Sequence, residues 1–453
     1  MTTYRAGTLV YSKLGLLALF GWLLGGDFVF NLMEIVAGNF IPLKLKYLEA
    51  PNWLIGLVVT TVPSVIGMTV TPVISVSSDR TRTRWGRRMP YLLAATPFVA
   101  LSLVLIGTSD SLGSWLQIAG FPGSSVAAVT LWTVCLLVVG FQFLNVFVTN
   151  IYFYLFNDVV PPELMSRFMA LFRIVSIAAT SGFQFFLFGK AGTHMREIFL
   201  GSAALYAVVF SLMCLRVREG RYDEPPQAPE GDATGLWKGA RRYVVECFTE
   251  RFYWYFFLAN MFWGLGFAVV SFRVFFAESV GLSLDDFGRL MGCVGVITAA
   301  LLYPAAALAD RLHPLRVMLL GLALLLLVVP FQLIFVVVDI PSAYTRGLYM
   351  ALFALHITVQ TLCMAAQMPM FMKLLPKDRF GQFASANGFV TSAAMMLGGV
   401  LAGVWLDRLD ASHIVPLYQY RYLPVWVSAC LGLCLFFMML LYREWKRRGG
   451  EAS

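Results

Sequence analysis

Charge is scarce in this chain. Asp, Glu, Lys and Arg make up 13% of its 453 residues, whereas 59% are hydrophobic and 15% aromatic; a soluble domain carries about a quarter charged residues. Histidine is scarcer, with four residues. The seven cysteines (135, 214, 247, 293, 363, 430, 434) lie in or beside apolar stretches and form no CxxC pair. Such a set argues against a zinc centre or disulfide framework, and the thiols read as small core hydrophobes. No HxxxxD, HExxH or GxSxG string stands in a plausible context, so an enzyme is the least favoured class. Neither cofactor nor metal is expected. Long hydrophilic stretches are almost absent too. With a mean hydropathy of +0.75, the chain has more apolar surface than it can hide in itself, and lipid must be its main solvent.

What is present is a series of apolar runs, each near the ~20 residues that cross the hydrocarbon. They fall at about 14–38, 53–77, 91–108, 128–156, 168–189, 198–215, 252–276, 287–308, 316–338, 347–372, 382–405 and 422–442. The first run continues past Asp27 and Glu34, too long and too polar at its end for a cleaved signal peptide. The net charge of +9 comes from basic clusters at 80–88, 216–251, 311–316, 373–379 and 443–448, while 109–127 has no Lys or Arg. With both termini in the cytoplasm of a cell-membrane protein, every cluster falls inside. Topology accounts for the charge, and no interleaved aromatic and basic run suggests nucleic acid.

The expected organisation is an all-α membrane protein with twelve helices in two six-helix pseudo-repeats around a central cavity. Residues 1–217 form the first bundle, 218–251 a cytoplasmic linker with an amphipathic helix, and 252–453 the second bundle. "RYDEPPQAPEGDATG" marks the linker. The halves echo each other: "SVSSDRTRTRWGRRMPYLL" answers to "AALADRLHPLRVMLL", and "VVPPELMSRFMALF" to "LLPKDRFGQFASAN".

Polar residues recur at helical spacing in particular spans. Span 1 carries Asp27, Asn31 and Glu34; span 2 Thr60, Ser64 and Thr71; span 4 Gln142, Asn145, Thr149 and Tyr152. Span 5 carries Arg173, Thr180 and Gln184; span 7 Asn260, Trp263 and Ser271; span 10 His356, Gln360 and Gln367; span 11 Asn387 and Thr391. Spans 3, 6, 9 and 12 lack such stripes, Gln332 being their one buried amide, and face lipid. The hydroxyls of span 2 can equally bond their own backbone, a single amide can glue two helices, and Arg273 can snorkel. Asp27 differs, because a mid-span carboxylate is costly unless paired, hydrated or protonated.

Five arginines (80, 82, 84, 87, 88) crowd nine positions of "SDRTRTRWGRRMPYLL", residues 78–93. An acid-Arg pair at the end of span 2 with basic residues after it, repeated as Asp310, Arg311 and Arg316, resembles the signature of the major facilitator superfamily. The longer string resembles the loop of the glycoside–pentoside–hexuronide:cation symporters and of the plant-type sucrose:proton symporters. The resemblance implies a conformational latch built from Asp79, Arg80, Arg84, Gly86, Arg87, Arg88, Asp158, Arg167, Asp310 and Arg311. It implies a sugar-binding aspartate in "LLGGDFVFN", here Asp27. In the first of these families two span 2 acids, one and five residues before the proline, help bind the coupling cation. Thr71 and Gly67 stand there in this chain, which favours protons.

The expected function is therefore proton-coupled transport of a small polar solute, a sugar or glycoside, by a monomer in lipid. Substrate binding is assigned to Asp27, Asn31, Asn145, Thr149, Tyr152, Trp263, Gln360 and Asn387, and coupling to Asp27, Glu34 and His356. The competing readings are an organic-anion or drug-like-solute carrier, in which Arg173 and Arg273 matter most, and a non-transporting membrane sensor.

Overall fold

A computed structural model describes residues 4–220, 245–376, 379–412 and 415–450. The twelve expected spans are twelve helices: α1 (Lys13–Tyr47), α2 (Asn52–Thr71), α3 (Met89–Gly107), α4 (Val126–Val159), α5 (Arg167–Phe186), α6 (Phe188–Arg216), α7 (Arg251–Ser279), α8 (Leu284–Ala309), α9 (Pro314–Val337), α10 (Ala343–Leu374), α11 (Phe380–Asp410) and α12 (Tyr418–Arg447). Serine hydroxyls start three of them. Ser12 accepts from Gly15 N at 3.1 Å, Ser125 from Ala128 N at 3.2 Å and Ser283 from Asp286 N at 3.1 Å, each satisfying an amide with no partner inside its helix. The helix of α2 contains a π turn at Leu57–Thr61 and runs on to Arg80. Ahead of α1 stands a small antiparallel hairpin, β1 (Tyr4–Ala6) and β2 (Leu9–Tyr11), which the hydropathy did not signal.

The chain divides into two compact units, 1–227 and 228–453. Residues 221–244, which hold most of the expected linker and its amphipathic helix, lie outside the described residues. In the first unit the principal helix pairs are α1–α5, α1–α6, α2–α4, α3–α4 and α3–α6. In the second they are α7–α11, α7–α12, α8–α10, α9–α10 and α9–α12. Adding six to each number of the first set gives the second, so the packing plan is duplicated.

Helix α7 is interrupted. Its α-helical turns end at Gly266, residues Phe267–Phe272 form a 3-10 stretch, and α-helix resumes at Arg273. Glycines bring α11 close to this break. A Cβ on Gly264 would stand 2.8 Å from the Thr391 methyl, and one on Gly398 would stand 2.3 Å from a Leu265 methyl. Lipid offers no hydrophobic force between helices, so such close backbone approach is a main source of their cohesion.

Candidate functional site: the polar interior of each bundle

In the first unit the polar residues of α1 form a ladder to its neighbours. Asp27 is fully buried. Its Oδ1 accepts a 2.6 Å hydrogen bond from Asn31 Nδ2, one turn further along, and Asn31 Oδ1 accepts from Ser176 Oγ of α5 at 2.7 Å. The other carboxylate oxygen, Oδ2, has no hydrogen-bond partner among the described residues. Two turns on, Glu34 Oε1 accepts from Asn145 Nδ2 of α4 at 2.9 Å. An ionised oxygen without a donor in a low-dielectric interior costs several kcal/mol, on the order of the desolvation penalty itself. Asp27 is therefore an acid with one oxygen held and one free to take a donor.

One span 4 expectation is corrected. Tyr152 is not a cavity residue: it is fully buried, its hydroxyl donates to Leu23 O at 2.7 Å, and its ring packs on Phe30, Phe156 and Phe210. Thr149 donates to its own helix at Asn145 O (2.7 Å). The span 2 hydroxyls divide. Ser64 bonds Thr60 O at 2.8 Å, whereas Thr71 accepts from Asn150 Nδ2 of α4 at 3.2 Å. At Thr71, an amide–hydroxyl pair thus joins two helices.

The second unit has a different chemistry. Gln332, the single amide expected on α9, places Nε2 3.0 Å from His356 Nδ1. An amide nitrogen only donates, so in this arrangement Nδ1 accepts and the imidazole is neutral with its proton on Nε2. Two small cavities of about 20 Å³ each meet here. One is lined by Arg273, Gln332, Tyr349 and His356, the other by Trp263, Arg273, His356 and Gln360. Trp263, His356 and Gln360 thus line one cavity. Asn387 is buried on α11, its Oδ1 has no partner among the described residues, and it lines neither cavity. Asn260 donates to Phe256 O of its own helix at 2.9 Å.

At one end of the first unit the arginine-rich loop folds into an ion-pair cluster. Arg87 makes a two-point contact with Asp158 of α4, its Nε lying 2.9 Å from Oδ2, and Arg88 Nε reaches the same oxygen at 3.2 Å. Arg88 also bonds Asp79 and Ser78 at the end of the α2 helix, and its guanidinium lies 5.1 Å from the Tyr154 ring centroid. Glu219, beyond α6, accepts from three successive backbone amides, Arg87 N (2.9 Å), Arg88 N (2.8 Å) and Met89 N (2.7 Å). These amides open α3, where a carboxylate meets both unsatisfied donors and the positive end of the helix dipole. Gly86 permits this approach. Its φ is +108°, and a Cβ there would stand 2.5 Å from the Glu219 carboxyl carbon.

The cluster gathers Asp79, Gly86, Arg87, Arg88 and Asp158. Arg80, Arg84 and Arg167 do not join it: all three are exposed, and Arg84 lies over Trp85 at 5.4 Å. Arg311, in the second unit, is exposed. The side chain of Asp310 lies outside those described. Glu219 escaped the sequence reading because one acid beside a charged linker has no spacing that marks it. In the second unit the corresponding turn is built differently. His313, at φ +70°, joins the end of the α8 helix to Pro314, and its ring packs on Trp445 at 4.6 Å. Burial, and then the nearby charges of Lys373 and Arg316, hold the His313 imidazole below its ordinary pKa.

Residues 256–452 match the sequence model of the Major Facilitator Superfamily. A D-xylose-proton symporter superposes with a TM-score of 0.66 over 94% of this chain and 97% of its own, at 13% identity. The nucleoside transporter NupG gives 0.67 over 94% and 99%, at 12% identity. A bacterial homologue of the iron transporter ferroportin gives 0.66 over 94% and 99%, at 14% identity. The chain has the fold of a Major Facilitator Superfamily transporter. Its second half carries that family's sequence signature as well. Two curated relatives, the sucrose transport protein SUT1 of Oryza sativa subsp. japonica and of subsp. indica, are each 41% identical over 49 residues, which is 11% of this chain and 9% of theirs. Within the superfamily plan, the duplicated helix pairs form the scaffold, and the ladder on α1 and the cavities beside α7 and α10 are its polar furnishings.

Proposed function

We propose that this protein is a secondary transporter that moves a sugar or glycoside through the cell membrane by proton-coupled alternating access, with both termini in the cytoplasm. One observation carries the reading: the buried α1 carboxylate of Asp27, whose Oδ1 is held by Asn31 and whose Oδ2 is unpartnered among the described residues. A free carboxylate oxygen beside amides and a hydroxyl suits paired sugar hydroxyls, each a donor to a charged acceptor. The same oxygen suits a proton, because protonation removes the cost of a buried charge. Glu34, paired with Asn145, is the second candidate for coupling. His356 leaves that set, since its Nδ1 accepts from Gln332 and its neighbour is the Arg273 cation, against which a second positive charge is unfavourable. The short likeness to the rice sucrose transport proteins and the fold shared with a xylose-proton symporter support the same reading.

The test is uptake by proteoliposomes over a panel of mono- and disaccharides, with proton and sodium gradients imposed in turn. Accumulation of at least one sugar driven by an inward proton gradient, and abolished by Asp27→Asn, is the expected outcome. Accumulation of organic anions alone would transfer the function to the competing carrier reading.

A further inference from the structure

The second unit holds an uncompensated cation. Arg273 stands where α7 resumes α-helical geometry after its 3-10 stretch, largely buried. Its side chain has no carboxylate within ion-pair distance among the described residues; its one contact of charge is with the Phe353 ring, 5.9 Å away. A guanidinium stays protonated in proteins and presents five N–H donors. Burying it without a counter-ion is costly, and a ring face at that distance returns only about 0.5–2 kcal/mol.

The surroundings are rich in unpartnered polar groups. The two cavities of about 20 Å³ meet at Arg273 and His356. Among the described residues the Tyr349 hydroxyl, in a side chain 1% exposed, has no partner, and neither has Oε1 of Gln360, 6% exposed. With Nδ1 of His356 accepting from Gln332, the remaining ring nitrogen carries an N–H. Thus a guanidinium, an imidazole N–H and a phenol O–H border the same space, with no acid among them. A cavity of ~20 Å³ takes one water-sized particle, which is also the scale of a halide and far below that of a sugar.

We infer that the Arg273 cavity is an anion site, sized for a halide ion or for a single carboxylate group. It lies within the second unit and does not depend on the sugar reading.

The experiment uses the full-length protein in detergent, without sugar or gradient, so that its failure and failure of the transport reading are separable. Melting is followed while a bulky organic sulfonate, which presents neither a halide nor a carboxylate, is replaced at constant ionic strength by chloride, bromide or iodide, and separately by formate or acetate. The expected result is a saturable rise in Tm, on the order of 5 °C at a hundredfold excess over Kd, absent in Arg273→Gln. Iodide should also quench the Trp263 part of the fluorescence, identified as the difference from Trp263→Phe, and the quenching should vanish in Arg273→Gln. If that variant does not fold, Arg273→Lys keeps the charge but loses the fork, and a right-shifted iodide titration is expected. A response to formate and acetate but not to halides assigns the same site to the carboxylate of an organic solute. A parent indifferent to all of these anions, or an equal response in parent and Arg273 variants, overturns the proposal.

Discussion

The Glu219 contact gives the most quantitative prediction. Its carboxylate caps three amides at the start of α3 at 2.7–2.9 Å. Replacing it by Gln keeps the size but removes the charge and one of the two acceptor oxygens, and turns an NH₂ toward backbone N–H donors. A hydrogen bond to a charged acceptor is worth ~1.5–3 kcal/mol against ~1 kcal/mol for a neutral one, and the helix dipole adds ~0.3–1 kcal/mol. Glu219 is half-buried, so solvent screening reduces the sum, and a net loss of about 1–3 kcal/mol is expected. In a unit of this size that corresponds to a Tm roughly 2–10 °C lower. The loop carrying Arg87 and Arg88 should loosen with it, so hydrogen exchange at residues 86–89 should accelerate and transport turnover should change. Arg218→Gln, next door and exposed, is the control. A Glu219→Gln protein with parental Tm and parental exchange at those amides would refute the argument and leave the contact without energetic weight.

Three further outcomes follow from the same geometry. Asp27→Asn removes a charged acceptor, and sugar affinity should fall on the order of tenfold to a hundredfold in a binding titration, by the energy of one such hydrogen bond; if instead binding survives while accumulation fails and exchange persists, Asp27 carries the coupling proton. Gly86→Ala should destabilise more than an ordinary loop substitution, by roughly 1–3 kcal/mol in a melt, since it combines a positive φ with a clash on Glu219, whereas Gly123→Ala, in open space, should be silent. In a Cys293→Ser background, which removes the exposed thiol, a cysteine at Ser124 should react with an impermeant reagent from outside the cell and one at Arg84 should not; the reverse pattern inverts the orientation drawn from the basic loops.

Much of the fold was legible because a membrane span announces itself by length and hydropathy. The errors came where a polar residue found a distant partner. The first run is expected to end near residue 38, yet α1 continues to Tyr47, and Lys44 in that extension is buried with Asp110 accepting from its ammonium at 3.0 Å. Asp110 itself lies in a short helix, Ser109–Gly120, in a stretch that read as an outer loop. Nothing local ties these two residues together. The polar stripes were equally two-sided. Helical spacing shows that Asn145, Thr149 and Tyr152 share a face, but not whether that face meets a cavity or a neighbour. Asn145 meets Glu34, Thr149 its own backbone and Tyr152 the Leu23 carbonyl. The arginine loop was recognisable from Asp79 to Arg88 as a string, whereas its closing acid, Glu219, is 130 residues away from Met89.

The two units share a packing plan but not a polar chemistry, and the difference falls on equivalent helices. In the first unit α1 and α4 meet through an acid and an amide, Glu34 and Asn145. Their counterparts six helices on are α7 and α10, which present a guanidinium, an imidazole and an amide from Arg273, His356 and Gln360. Duplication accounts for this pattern. The helix pairs rest on apolar and small side chains spread along whole interfaces, where many substitutions preserve volume and are tolerated. A buried charged or amide group instead depends on one or two partners, so replacing one partner changes the chemistry of the site without disturbing the scaffold. The scaffold therefore identifies the transporter fold, and the polar groups it carries differ between the units: Asp27 and Glu34 present acceptor oxygens, and Arg273 presents donors.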